Sequence, residues 1–409
     1  MIKSRVAFIL YRYPLGVSSM IINSIKLLVD RGYLVDIYIS SNSLNLSPIE
    51  FCDDSIRMFV FDDSRMSLPL RAYIHLLFRT DKLATVLLGS LPDSLRLPLL
   101  FPDIYVFSRW LNRHLERYAY EYFMPVECRS LLCLVNISEK SKIIYYNMEL
   151  LDWNRYSPQY PGKAALKKME YNIITQLRHV AITSPLRAEI FCKINGFDMS
   201  KVSVLPVTPL GGPITAKTDY FRSLFGIPVS TCLVVYSGSF QPWAKCLDII
   251  RTVRYWPENH ALVMHTWNPT IVGTEYHAQM VEEAKGLPVY FSYNYIEYDK
   301  LGLALSSADI GLMFYDGSDA NYSELLFSSN KLGEYLKAGL MVICSDLPSL
   351  KQFVEENKIG IAVPLEELPR AITGAKKHLG RYRENAASCY VERFRFEEYF
   401  DRFFQKLKR

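Results

Sequence analysis

Short β-branched runs alternate along the chain with longer segments in which apolar residues recur every three to four positions. That alternation is the pattern of parallel strands joined by crossover helices. Residues 5–11 read as a strand, 16–19 as a turn and 20–31 as an amphipathic helix. Ser18 or Ser19 is placed to cap that helix, and Gly32 to stop it in a left-handed turn before a strand at 34–40. Further strands are expected at 57–61, 142–148, 180–184 and 202–207. Residues 67–126, rich in Leu, Arg and aromatics, read as helical, broken by Pro92, Pro98 and Pro102.

Residues 207–219 combine prolines with a Gly-Gly pair and read as an interdomain linker. A second alternating series follows, with strands at 233–238, 261–265, 287–291, 310–314 and 341–344, and helices at 244–254, 276–285, 297–306 and 331–338. The final segment, 393–409, is an aromatic amphipathic helix with no strand after it, so it needs an apolar surface elsewhere. The expectation is an α/β protein of two Rossmann-like domains facing across a cleft: 1–207 with 393–409, and 208–392. Ligands of such folds bind beyond the carboxyl ends of the strands.

Composition narrows the class. A chain of 409 residues, 50% hydrophobic and 22% charged, is long enough for two cores and too apolar for disorder. No run approaches the ~18 apolar residues of a spanning helix. The N-terminal segment reads as a first strand, not a signal peptide. Eight cysteines without a CxxC pair, mostly inside apolar runs, suggest buried free thiols and a cytoplasmic setting.

The net charge of +5 is unevenly placed. Residues 1–205 hold 25 Lys+Arg against 19 Asp+Glu, while 206–409 hold 22 against 23. A dense basic stripe of the nucleic-acid-binding kind is absent. The basic half suits an anionic lipid or a pyrophosphate-bearing acceptor, and equally an ordinary solvated surface. The aromatic run 73–78 and the stretch 109–122, with Arg109, Arg113 and Arg117 at helical spacing, are candidates for peripheral contact with the inner membrane face.

The most informative block is SADIGLMFYDGSDANYSELLFSSNKLGEYLKAGLMVICSD, from Ser307 to Asp346. Ser328, Ser329 and Asn330 precede a helix whose first-turn N–H groups can cradle a diphosphate, with Lys331 on that first turn. Glu334 follows one turn later, where a carboxylate can accept both hydroxyls of a ribose. The same residues also suit a capped surface helix with a solvated Glu.

The block resembles the GT-B glycosyltransferases, particularly the family-4-like group, through Asn330-Lys331-Leu-Gly-Glu334-Tyr-Leu-Lys-Ala-Gly339-Leu-Met-Val342-Ile343. The resemblance covers residues 230–365 and reaches the N-terminal domain by topology alone. It implies a ribose role for Glu334 and a diphosphate role for Lys245, beyond the strand–turn Tyr236-Ser-Gly238-Ser. It also implies base recognition by the backbone of 293–297, including Tyr295 and Ile296, and a first-domain acceptor loop at Gly16, Val17 and Ser18.

Two departures stand out. The family's first glutamate would fall at Leu326, and the nearest carboxylate is Glu324. An arginine expected beside the strand-end glycine is Ser239. His265, at a strand end, suits either a phosphate or sugar contact or a structural role. Glu149, then Asp152, are the candidate catalytic bases for an acceptor hydroxyl, and either also suits loop fixing.

The resulting expectation is a hexosyltransferase moving a sugar, glucose by preference, from a UDP-sugar to a saccharide or lipid-linked saccharide in bacterial envelope or exopolysaccharide synthesis. No metal, cofactor or nucleic-acid partner is expected. A sugar-nucleotide epimerase of the same fold, or a non-catalytic nucleotide-sugar-binding subunit, remains open.

Overall fold

The structure is a computed structural model, and it describes residues 3–46, 49–65, 93–151, 161–317 and 320–408. Contacts divide the chain into two compact units, Met1–Leu205 with Tyr399–Arg409, and Pro206–Glu398. The sequence expectation had placed these crossings at 207/208 and 392/393.

Among the described residues the first unit has seven strands: β1 (Arg5–Leu10), β2 (Leu34–Ser40), β3 (Ile56–Phe61), β4 (Tyr122–Pro125), β5 (Ile144–Asn147), β6 (His179–Ile182) and β7 (Val202–Val204). They pair in the orders β3-β2-β1-β4 and β5-β6-β7, all parallel. Isolated parallel bridges, Phe123 to Ile143 and Val126 to Tyr146, carry the ladder from β4 to β5. Consecutive residues of β1, β2, β4, β5 and β6 are buried, because crossover helices cover parallel sheets on both faces, while β3 is mostly half-buried. Gly32 stops the Ser19–Asp30 helix at φ +83°, as its position in the sequence implies.

Of residues 67–126, those from 93 onward are described. Asp93–Leu100 and Pro102–Leu115 are helical as expected, with Pro98 inside the first helix, and Tyr122–Pro125 departs from the expectation. This strand, β4, follows the second helix and pairs with β1 in mid-sheet. Four residues, YFMP, are too short to show a period, and β1 supplies what local pattern cannot. Arg109 and Arg113 are exposed on that helix and Arg117 is exposed beyond its end. The aromatic run at 73–78 lies outside the described residues. No helix among them is long and apolar enough to cross a membrane.

From Tyr399 onward the Phe396–Lys408 helix belongs to the first unit, with Phe400, Phe403 and Leu407 buried. Phe403 meets Tyr146 and His179 edge-on or tilted, and Phe404 meets Tyr33. This is the apolar surface that the terminal aromatic stripe required.

The second unit holds β8 (Cys232–Ser237), β9 (His260–His265), β10 (Val289–Ser292), β11 (Ile310–Met313), β12 (Met341–Cys344) and β13 (Gly360–Ala362). Their order is β10-β9-β8-β11-β12-β13, all parallel, the Rossmann order 3-2-1-4-5-6 counted from β8; the first unit follows the same order with β7 added at its end. β13 was not foreseen; three residues opening on Gly360 carry no strand signal of their own. Of the cysteines six are buried, whereas Cys52 is exposed and Cys192 only partly covered, which corrects the expectation for those two.

Candidate functional site

At the carboxyl end of β8 the backbone is held from the neighbouring helix. Tyr335, on the Asn330–Lys337 helix, lies flat against Gly311, where a Cβ would stand 2.5 Å from its ring. Its hydroxyl accepts from the Ser237 amide (3.0 Å) and donates to the Leu312 carbonyl (3.2 Å). The helix is thus pinned to two strand ends at once, and the next residue, Gly238, turns away at φ +151°.

Lys331 reaches into this turn. Its ammonium lies 2.6 Å from where a Gly238 Cβ would be, between the rings of Tyr236 (5.0 Å) and Tyr315 (5.1 Å). It donates to the Tyr315 hydroxyl at 3.2 Å, and that hydroxyl pairs with Ser329 Oγ at 2.9 Å. Ser329 in turn caps the helix by accepting from the Lys331 amide. Lys331 is 8% exposed, and among the described residues no carboxylate lies within ion-pair distance of it. A cation largely removed from water and held by two π faces is poised for an anion.

Glu334 lies one turn on, 4% exposed, and among the described residues no hydrogen-bond donor reaches its carboxylate. Burial lifts its carboxyl to about 7, against the opposing pull of Lys337. Its Oε2 faces Gly302 of the Tyr298–Leu305 helix, 3.6 Å from where a Cβ there would stand. Lys245 sits in the left-handed region at φ +54°, a strained backbone for a lysine, at the start of the Cys246–Thr252 helix. It is half-buried. Tyr295 is exposed and Ile296 partly buried on the loop after β10. Ser328 and Asn330 flank the cap residue.

Two candidates, His265 and Glu324, are held by partners on neighbouring elements. His265 is buried, its Nδ1 paired with Ser292 Oγ at 3.0 Å and its ring against Phe221; burial lowers it to about 4, keeping it neutral. That geometry is the structural alternative for a strand-end histidine. Glu324 accepts from Ser349 Oγ at 3.1 Å, which ties it to the start of the Pro348–Glu356 helix. Among the described residues no group of three or more His, Cys, Asp or Glu side chains could hold a metal.

In the first unit the strand ends gather a second set. Gly16 and Val17 lie in a 3-10 turn, Leu15–Val17, ahead of the first helix. Ser18 occupies the N-cap position, yet its hydroxyl makes no capping bond; it accepts from Tyr13 (3.3 Å) and approaches the sulfur of Met148 (3.7 Å). That corrects the capping expectation. Glu149 is exposed just beyond β5. Asp152 lies outside the described residues.

A carboxylate that sequence reasoning missed sits among them. Glu127, just past β4, adopts φ +65°, a left-handed conformation costly for a residue with a Cβ. Its Oε1 accepts from the amides of Met148 (2.7 Å) and Glu149 (3.0 Å), so it fixes the loop that carries Glu149. Burial first, then the neighbouring Glu149, raises its carboxyl well above the usual range. Arg187 Nη1 holds the Met148 carbonyl from the other side, at 2.5 Å. The signal for Glu127 was a carboxylate directly after a strand, and it was hidden because β4 was hidden.

No family model matches the sequence, and no curated protein sequence matches it significantly. Solved structures do match. A sucrose-phosphate synthase from Thermosynechococcus elongatus is 15% identical, with a TM-score of 0.69 over 98% of both chains. WaaG, a glycosyltransferase involved in lipopolysaccharide biosynthesis, is 14% identical with a TM-score of 0.65 over 97% of this chain and 98% of its own. Anabaena HepE, solved with UDP and glucose, is 13% identical with a TM-score of 0.65 over 99% of both. At such identities the likeness speaks for architecture. The chain has the GT-B fold, with two Rossmann-like domains.

Proposed function

We propose that the protein is a glycosyltransferase that takes a sugar, glucose by preference, from UDP and delivers it to the hydroxyl of a saccharide or lipid-linked saccharide. The observation that carries this reading is the Lys331 ammonium held at Gly238, beside a capped helix terminus and one turn from a buried, unpaired carboxylate. A fold shared with a protein solved with UDP and glucose supports it.

Each group then has a task. The first-turn amides of the Asn330–Lys337 helix, Lys331 and Lys245 receive the diphosphate, and Glu334 accepts the ribose hydroxyls. Tyr295 and Ile296 lie on the loop assigned to the base. The acceptor oxygen bonds to the anomeric carbon as the bond from that carbon to the diphosphate oxygen breaks. UDP leaves with the electron pair, and the two lysines and the helix N–H groups neutralise the charge that develops. The reading assigns no metal to that role. Glu149, on the loop fixed by Glu127, is assigned the acceptor's proton. A cytoplasmic enzyme of the bacterial envelope or exopolysaccharide, in contact with the inner membrane face, fits this chemistry.

Incubation with UDP-glucose tests the reading. Slow release of UDP and a hydrolysed or transferred sugar is the expected result. A changed sugar nucleotide would make the protein an epimerase. Tight UDP binding with unchanged donor would make it a binding subunit, a reading favoured by Glu324's bond to Ser349 and by Ser239 where the family has arginine. Glu334→Ala should weaken UDP binding; equal affinity would remove the ribose assignment.

A further inference from the structure

The first unit has a depression of about 630 Å3 at the amino-terminal edge of β5, β6 and β7. Rossmann-like sheets bind ligands at the opposite, carboxyl edge, so this depression is distinct from the strand-end cluster of Glu127 and Glu149. Three cations line it, each from a different element. Arg178 comes from the turn before β6, Lys201 from the turn before β7, and Lys406 from the terminal helix. None of the ten residues lining it is an aspartate or glutamate.

Two of the cations, Arg178 and Lys406, are held in place by neutral acceptors. Arg178 Nη2 donates to the Leu407 carbonyl (2.8 Å) and Lys406 Nζ to the Val202 carbonyl (3.0 Å), neutral acceptors that fix position and leave charge. Lys201 has no side-chain bond among the described residues. Asp198, on the same turn, accepts from the amide and hydroxyl of Ser200, and these bonds, with a smaller pull from Lys201, hold its carboxyl below the usual range. The wall between them reports the resulting field. His179 is paired with Ser203 Oγ at 2.9 Å and is lowered to about 4 by burial and then by Lys406 and Arg178. The hydroxyls of Ser141 and Thr175 add donors to the lining.

We propose that this depression binds a phosphate-bearing anion, either a free phosphorylated small molecule or the phosphate of a lipid headgroup. Three convergent cations with hydroxyl donors match a group that carries several anionic oxygens, and the volume exceeds a single inorganic phosphate. The ligand is not the sugar donor, whose assigned place is in the other unit, so the proposal stands whether or not the transferase reading does.

The test uses the full chain with its nucleotide site first filled by excess UDP. Inorganic pyrophosphate is then titrated by calorimetry, and phosphatidylglycerol vesicles are offered in a parallel sedimentation arm. Binding in the first arm marks a free anion, and binding in the second alone marks a headgroup; either supports the proposal. Lys201→Glu should weaken the interaction at least tenfold, and so should Gln176→Glu, which adds a negative charge to the wall while leaving all three cations in place. Neither side chain packs in the core, so thermal unfolding of both variants should match the parent. No binding in either arm, or binding that both variants retain, overturns the proposal. If UDP itself fails to bind, the transferase reading falls, and the pyrophosphate titration remains readable without it.

Discussion

The Lys331 ammonium stands 2.6 Å from the point a Gly238 β-carbon would occupy, so the glycine is what lets that cation reach the end of β8. Gly238→Ala forces Lys331 back and also places a Cβ on a backbone at φ +151°. A stability loss of about 1–3 kcal/mol should accompany a tenfold or greater fall in UDP affinity. Urea unfolding and calorimetry read the two effects separately. Full UDP affinity in the alanine variant would detach this cation from nucleotide binding.

Lys331→Met separates charge from packing. The unbranched side chain keeps its place between Tyr236 and Tyr315, while the donor to Tyr315 and the positive charge disappear. Loss of a charge-assisted contact costs about 1.5–3 kcal/mol of binding, roughly tenfold to a hundredfold in Kd. The unfolding midpoint should move little, because removing a mostly buried charge offsets the lost bond. A variant that unfolds early yet binds UDP normally would make Lys331 structural.

Glu334 makes stability depend on pH with a definite sign. The folded protein keeps a proton to about 7 that the unfolded chain releases near 4.5. Stability is therefore greatest below the unfolded value and declines as pH rises through that window, by up to about 3 kcal/mol at this site. Ribose hydroxyls donate to the ionised form, so UDP affinity should climb over the same range. Glu334→Gln should flatten both curves in thermal scans and titrations. A wild-type UDP affinity independent of pH from 5 to 8 would contradict the assignment.

Glu127 offers a contrast between two substitutions. Glu127→Gln keeps an oxygen for the Met148 and Glu149 amides and removes the carboxyl that Glu149 opposes. It should hold the parent stability and gain relative to it at alkaline pH. Glu127→Ala leaves both amides without that acceptor and should lose about 1–3 kcal/mol. If donor turnover falls in the alanine variant and survives in glutamine, Glu127 acts by positioning the loop. A fall in both, with a shifted pH profile, makes its proton part of the chemistry.

How much of this was legible in the sequence follows physical lines. The long β-branched runs of the second unit and the Gly32 stop have local causes, and they appear in the structure near where the pattern puts them. β4 and β13, with four and three residues, exist because neighbouring strands complete their hydrogen bonds, and no local signal records that. Ser329, Lys331 and Glu334 were legible as a helix start. That Lys331 turns inward to Gly238 was not, since it depends on Tyr335 drawing the helix down onto Gly311. His265 was visible as a strand-end histidine, but only Ser292 on the next strand decides its state.

The terminal helix has a consequence for how the chain is made. Tyr146, His179 and Tyr33 wait for Phe403 and Phe404, which emerge only after the whole second unit, Pro206–Glu398, has left the ribosome. At ~5–20 residues per second that is a delay of roughly 10–40 s with an apolar seam uncovered. The first unit to be synthesised is thus the last to be finished, and a nascent chain stalled before residue 399 should present that seam to chaperones.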